Sequence, residues 1–486
     1  MNTSTVASGR LLVGVLAAAS LLLAMAPVPA PAAFAQDDRP ADPPAAIDWA
    51  PDSGGAAADT ALVRPKNFGR AAFEVFLANA VVWSFDRYIR EGGTNPVFRI
   101  GFNSWEENLV AGYNWDDNQF STNQLSHPYH GNLYYNAARS NGFSYWESVP
   151  FTFAGSFMWE YFGEVHHPAM NDWIATSVGG VALGEITHRL ATIIRDNEAT
   201  GSERTWRETG GLLVDPMGGL NRIIDGDWSR QGLNPPKRYP KNYRSRLDMG
   251  LRTRGEERLW EADTTDVHVG YEFEYGDPFF GDMGEPFDTF DFSIELYFGD
   301  KSKVGDVQGS GNLAGMFLKE TDRVSHILAA YHRYDYINTN ALEFGGQSLT
   351  AALLSRFETD GGTEVRTELH LGSMILGGAS SDYENVSGRS YDFGPGAVMR
   401  FEASLGRGGW RYFELGHDQF FLHSISGNVV DHHLSRTRLG LDLPVKYNVG
   451  LGLEYRLTLA ERRYRDYPDV SRRNPESRVF LRWILN

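Results

Sequence analysis

The chain has 486 residues, a net charge of −17, 42% hydrophobic residues and no cysteine. That length exceeds one ordinary core and sets a prior of two structural units. The acidic balance, with no dense basic patch, excludes a nucleic-acid partner, and the lack of cysteine excludes disulfides, thiol catalysis and acylation at an N-terminal cysteine.

In chain order, Arg10 precedes an apolar run over residues 11–25, and Ala33-Phe34-Ala35 fits the small-x-small rule for signal cleavage before Gln36. The run is shorter than the roughly 20 residues a spanning helix needs, so residues 1–35 read as a signal peptide. Residues 36–66 are rich in Pro, Ala, Asp and Gly, the composition of a disordered tether. Helical periodicity begins near residue 68, where Phe73, Phe76, Leu77, Ala80 and Trp83 recur at three- and four-residue steps through Arg90. Residues 103–123 read as loop with a short helix. Further helices are expected over 127–140, over 150–165 with Pro150 in the first turn, and from Asn171 or Asp172 to Arg195. A short one over 206–222 is interrupted by Pro216 and Gly218-Gly219. These make a helical periplasmic or plug domain over 67–225, closed by a proline-rich linker over 226–243.

From residue 244 to 486 the period changes from 3.6 to two. Val267, Val269, Tyr271 and Phe273 alternate with polar or small residues, as do Phe290, Phe292, Ile294 and Leu296, and later Val449, Leu451, Leu453 and Tyr455. Such a period puts the apolar set on one face of a strand. Many runs reach roughly 10 residues, the length a tilted strand needs to cross a bilayer. About twelve strands are expected, centred near Leu247, Tyr271, Phe292, Phe317, Leu328, Leu353, Leu369, Met399, Tyr412, Leu434, Leu453 and Leu481. An even count suits a bacterial barrel. A barrel also reconciles a mean hydropathy of −0.36 with membrane residence, because its lumen is polar. The last strand ends Trp483-Ile484-Leu485-Asn486, without the terminal aromatic common in this class. The expected fold is an α+β membrane protein: N-terminal helices, then an antiparallel transmembrane β-barrel.

The densest polar and aromatic sequence lies in the helical part. It runs Trp115-Asp116-Asp117-Asn118-Gln119-Phe120, then His127-Pro128-Tyr129-His130-Gly131-Asn132, then Gly155-Ser156-Phe157-Met158-Trp159-Glu160-Tyr161-Phe162-Gly163-Glu164, and finally Asn171-Asp172-Trp173-Ile174-Ala175-Thr176 through Gly179-Gly180 to Gly184-Glu185. This succession resembles domain-of-unknown-function family 3943 of bacterial envelope proteins, over about residues 95–225. The resemblance implies an envelope protein whose helices lead into a barrel, and brings no activity.

The residues themselves carry the functional reading. Ser156, Glu160 and Glu164 fall at four-residue steps and share a helix face. Asp172, Thr176 and Gly180 stack likewise, His127 and His130 share a face, and Gly179, Gly180 and Gly184 permit close helix contact. Together the helices could bring His127, His130, Glu160, Glu164 and Asp172 into one cluster, with Arg139 as the neutralising cation and Arg139, Ser156 and Thr176 as substrate contacts. Three chemistries fit: a polar network packing short helices, a His–carboxylate general base acting on water or a lipid ester, or a metal site. The spacing is not that of H-E-x-x-H, and the favoured expectation is neither metal nor cofactor.

A second group, His417, His423, Ser424, Ser426, Asn428, His432 and His433, resembles the His–Ser pairs of outer-membrane phospholipases and lipid A deacylases. Those enzymes need His and Ser two apart on one strand face, whereas His423 and Ser424 are adjacent and face opposite ways. Tyr331, Tyr334, Tyr336, Trp410 and Tyr412 read as interface or lumen aromatics, and Arg462, Arg463, Arg465, Arg472 and Arg473 as a solvated loop or a contact for anionic lipid. The functional expectation is an exported outer-membrane barrel of structural or transport type, its helices beneath or inside the lumen. The alternative is a lipid-modifying hydrolase or acyltransferase. Outer-membrane lipid and the barrel-assembly machinery are the expected partners. Mass spectrometry of the mature protein is expected to find Gln36 at the N-terminus; retained peptides from residues 1–35 would refute the cleavage site.

Overall fold

Sustained alternation from Tyr243 onward builds twelve antiparallel strands in the computed structural model, which describes residues 65–485 except 236–239, 241, 256–261, 282, 300–302, 340–341 and 386–387. The expected signal peptide and nearly all of the expected tether therefore lie outside the described residues. The strands are β1 Tyr243–Gly255, β2 Ala262–Tyr275, β3 Phe290–Phe298, β4 Lys303–Glu320, β5 Val324–Asn338 and β6 Glu343–Glu358, followed by β7 Glu364–Ser380, β8 Tyr391–Arg407, β9 Trp410–His423, β10 Val430–Lys446, β11 Val449–Tyr464 and β12 Val470–Ile484. Each predicted centre falls in a different strand. Neighbours in sequence pair in space, and β1 closes on β12 through Leu247↔Trp483 and Leu251↔Val479. Closure leaves no edge whose amides and carbonyls a bilayer would have to satisfy.

Two families of side chains separate the barrel's faces. Arg436 on β10 donates to Asp306 on β4 at 2.6 Å, Arg456 on β11 and Arg478 on β12 to Glu295 on β3 at 2.6 and 2.9 Å, and Arg411 on β9 to Glu272 on β2 at 3.0 Å. None of these pairs joins neighbouring strands, so the side chains span the lumen. The residues between them point outward by the period of two. Outward Leu251, Leu328, Leu353, Phe357, Leu371, Leu441 and Leu481 are exposed and form an apolar band.

The helices do not plug this barrel. They are α1 Phe68–Tyr88, α2 Phe102–Ala111, α3 His127–Ser140, α4 Tyr145–Phe162, α5 Met170–Ile174, α6 Gly180–Ile194, α7 Gly201–Val214 and α8 Pro216–Ile224. They pack on the outer wall, along a stripe that crosses the strands. Outward Phe273 on β2 pairs with Phe292 on β3, which continues through Gly309 on β4, Tyr334 on β5 and Gln347 on β6 to Leu376 on β7. Phe290, Phe292 and Ile294 point outward yet are buried, clustered with Tyr135, Tyr145, Val181, Leu183 and Ile186 of the helices. Tyr334 Oη donates to the Gln124 carbonyl at 2.5 Å, and Phe120 stacks on Tyr336 at 6.0 Å. Tyr334 and Tyr336 are thus docking residues, correcting their reading as lumen or interface aromatics.

Within the domain, α3 and α6 meet backbone to backbone. A Cβ on Gly131 would lie 1.8 Å from the Thr176 carbonyl oxygen, and one on Gly180 2.5 Å from the Gly131 carbonyl carbon. Helix α4 starts at Tyr145, ahead of Pro150, because Ser144 and Glu147 form a capping box. It ends at Phe162, which leaves Glu164 off the helix. The expected helix over 206–222 is broken at Asp215, whose carboxylate caps the Gly218 amide at 2.8 Å. Two π turns, Thr122–Ser126 and Ala175–Gly179, interrupt the helices beside the polar cluster.

Helix α1 buries small apolar residues, Ala71, Val75 and Ala78, together with polar ones, and leaves its large apolar side chains outside. Glu74, Asn79 and Asp86 face inward and are buried, while Phe68, Phe73, Phe76, Val81 and Ile89 are exposed. Phe102, Leu109 and Val110 on α2 and Trp146 and Phe157 on α4 extend the exposed apolar set. No helix among the described residues is long and apolar enough to cross a membrane. Phe292→Ala should remove a buried docking contact and cost about 3–5 kcal/mol, releasing residues 68–224 to protease in detergent, while outward-exposed Leu353→Ala should leave proteolysis unchanged. Equal protection in both variants would count against docking on the wall.

Candidate functional site

His127 is the first residue of α3, directly after a π turn; Glu160 lies in the last turn of α4, and Asp172 is in α5. One ligand atom from each lies within 4.8 Å of the others. His127 Nε2 is 3.6 Å from Asp172 Oδ2, and its Nδ1 shares a hydrogen bond with the Thr176 hydroxyl at 3.2 Å. Asn171 Nδ2 donates to Asp172 Oδ1 at 2.6 Å, and the Ala169 amide donates to Glu160 Oε2 at 2.8 Å. Glu160 Oε1 is buried without a hydrogen-bond partner. π turns are frequent where a helix is re-aimed at a functional site, and here the second one carries Thr176 to His127.

The electrostatics follow from burial. Desolvation pushes the Glu160 carboxyl far above its usual range, and the nearby Glu164 and Asp116 add to the shift. Desolvation does the same to Asp172, with Asp116, Glu160 and Glu164 behind it. The His127 imidazole is pushed down to about 4 by burial, against the pull of Asp116. A neutral imidazole therefore faces carboxyl groups that resist ionising together.

Several expected members stand elsewhere. His130 hydrogen-bonds through Nε2 to the Tyr134 hydroxyl at 2.9 Å and packs edge-on against Trp159, outside the triad. Arg139 does not neutralise Glu160 or Glu164; it donates to Glu185 at 2.7 and 3.1 Å, alongside Arg189 at 2.8 Å and the Tyr135 hydroxyl at 2.9 Å. The Ser156 hydroxyl donates to the Trp173 carbonyl, at 3.5 Å. Glu164 lies just past α4, where its carbonyl accepts from Asn108 Nδ2 at 3.1 Å. Asp116 was missed as a site member. Its signal was the run Trp115-Asp116-Asp117-Asn118, polar residues set among aromatics without helical period. Its amide donates to Asn171 Oδ1 at 2.9 Å, tying that loop to α5.

The barrel group forms no Ser–His pair. His423 bonds Asp431 at 2.6 Å, His417 bonds Thr437 at 2.9 Å, and His432 is buried against Asp392 at 3.1 Å. Ser424 donates to the Asn428 carbonyl, and Ser426 accepts from Arg389 at 2.9 Å. The histidines thus join β8, β9 and β10 side by side, and the serines tie down the loop between β9 and β10. Four of the five arginines in the basic bracket are paired: Arg462 and Arg472 converge on Asp382, and exposed Arg463 and Arg465 pair with Glu461 and Asp466.

No curated protein matches the chain. Among solved structures, the NanC porin aligns with 9% identity and a TM-score of 0.28, covering 49% of this chain and 98% of the porin. The outer membrane phospholipase A from Escherichia coli aligns with 8% identity and a TM-score of 0.26, covering 50% of this chain and 93% of the phospholipase. The outer membrane channel DcaP of Acinetobacter baumannii has 8% identity and a TM-score of 0.21, with 50% and 96% covered. Residues 112–217, which hold every member of the His127–Glu160–Asp172 cluster, match the family described as Domain of unknown function (DUF3943).

Proposed function

We propose that this chain is an outer-membrane protein whose barrel acts as a scaffold, holding a helical domain on its flank where that domain works in contact with lipid. The observation that carries this reading is the set of large apolar side chains that the helices leave exposed. Phe73, Phe76 and Val81 face outward from a domain whose interior holds Glu74, Asn79 and Asp86. In water that arrangement exposes apolar area at roughly 25 cal/mol per Å²; against hydrocarbon the cost vanishes. The docking stripe also lies on the strands that carry the apolar band: Tyr334 is covered and Leu328 exposed on β5, and Leu376 is covered and Leu371 exposed on β7.

A solute pore is the weaker reading. Arginine–carboxylate pairs cross the lumen, and the cavity left among them is about 130 Å³. A larger cavity of about 440 Å³, lined by Arg244, Arg366, Arg407 and Arg411, lies at the end where the chain enters β1. The alternation of strands puts the start of β8, where Arg389 holds the Asp116 carbonyl at 2.8 Å, at the opposite end. If the end bearing the chain entry is periplasmic, as in bacterial barrels with short periplasmic turns, the polar cluster lies toward the outer leaflet. The juxtaposition of neutral His127 with Glu160 and Asp172 supports a second reading, a lipid-modifying hydrolase that must open to admit its substrate.

Two measurements test the scaffold reading. The chain has no cysteine, so single spin labels at Val81→Cys and Leu353→Cys report cleanly. Both should be more accessible to oxygen than to a water-soluble nickel chelate in liposomes, whereas a label at Val81 that favours the chelate would refute lipid contact. In planar bilayers the purified protein should show no steady conductance of porin size, and a stable open-channel current would restore the transport reading.

A further inference from the structure

The helical domain buries several carboxylates, and it neutralises nearly all of them with guanidinium groups. Glu185 is held by Arg139 and Arg189, Glu208 by Arg204 and Arg222, Asp215 by Arg195, and Glu74 by Arg70. Glu160 and Asp172 are as deeply buried as these, and no arginine or lysine pairs with either among the described residues. Arg389 reaches Asp116, but at its backbone carbonyl. A cluster left without a cation in a domain that otherwise supplies one for each buried acid needs another source of positive charge.

The hydrogen bonding says where that charge would sit. Glu160 Oε2, Asp172 Oδ1 and His127 Nδ1 are each occupied by Ala169, Asn171 and Thr176 respectively. The atoms that face one another are Glu160 Oε1, which is buried and unpartnered, and His127 Nε2 with Asp172 Oδ2, and the Asp116 side chain hydrogen-bonds Asp172 beside them. This is the pattern of an inner set of ligands oriented by outer hydrogen bonds. We propose that His127, Glu160 and Asp172 bind a divalent transition-metal ion. Bonds of about 2.0–2.2 Å in tetrahedral geometry place donors about 3.4 Å apart, and His127 Nε2 and Asp172 Oδ2 already stand 3.6 Å apart. One imidazole with two carboxylates is a donor set for Zn²⁺, Mn²⁺ or Fe²⁺ rather than for an all-oxygen Ca²⁺ site. Asp116 and Glu164, which crowd the same carboxylates, supply the remaining negative charge or a fourth ligand. The ion would join α3, α4 and α5 at one point. The site does not depend on where the domain sits relative to lipid, so either idea can fail alone.

The test uses the full mature chain in detergent. After chelator treatment and desalting it is loaded with Zn²⁺ or Mn²⁺, its metal content is measured, and its thermal unfolding is followed with Zn²⁺, Mn²⁺ or Ca²⁺ present. One ion per chain and a rise of several degrees in Tm with a transition metal but not with Ca²⁺ are expected. Glu160→Gln and Asp172→Asn should each abolish retention and the shift. Thr176→Val keeps every ligand and should weaken binding about 10–100-fold, as removing an outer-shell partner does, which keeps the test decisive if the ligand variants misfold. Equal metal content in wild type and variants would overturn the proposal. So would Gln and Asn variants as stable as the wild type with no metal effect, because the acids would then simply share protons.

Discussion

The helical half of this molecule depends on one apolar stripe across the outer wall of the barrel. Phe273, Phe290, Phe292, Ile294, Tyr334 and Leu376 point away from the lumen, where a neighbouring strand would present the same kinds of side chain to lipid. Covering them gives several large aromatic surfaces close-packed partners, a van der Waals gain rather than a hydrophobic one where the wall would otherwise meet hydrocarbon. Ile186 of α6 fits over Gly309, where the strand offers no side chain. The wall is therefore a template, and the positions of α3, α4 and α6 follow from it. So does the meeting of His127 with Glu160 and Asp172, since α6 and the π turn ahead of it bring Thr176 onto His127.

Charge is handled differently on the two sides of the same wall. The lumen tolerates many buried ions because they alternate in sign and bond in networks, with Arg456 and Arg478 sharing Glu295 and Arg246 and Arg411 sharing Glu274. The helical domain uses local pairs, Arg139 and Arg189 on Glu185 being the tightest. Glu185 is held well below the usual carboxylate range by those two guanidiniums, which outweigh its burial. Glu160, buried to the same degree, moves in the opposite direction for want of such a partner. That contrast sets the polar cluster apart from structural ion pairing.

The barrel was legible because a period of two survives in the sequence without any knowledge of neighbours, and each predicted centre lies in its own strand. The site of helix docking was not legible. Phe290, Phe292 and Tyr334 read the same whether lipid or protein covers them, so the helices were expected beneath or inside the lumen. The cluster was partly legible from helix spacing, which brought out His127, Glu160, Asp172 and Thr176. Spacing failed where an element ended early, leaving Glu164 off α4, and where a closer acid competed, drawing Arg139 to Glu185. Asp116 lies in a loop, where no period exists to reveal its direction.

The placement of the stripe has a consequence for biogenesis. It spans β2 through β8 and reaches Tyr243 at the start of β1, while β9 to β12 contribute nothing to it among the described residues. The chain enters β1 only after the whole helical domain has been made, and the last strand to arrive, β12, must find β1. Because no residue of β12 belongs to the docking cluster among the described residues, the final zippering of Leu247 to Trp483 requires no rearrangement of helices already seated on the wall. A folding intermediate open between β1 and β12 thus still presents β2 to β8 as a finished surface for the helices to dock on.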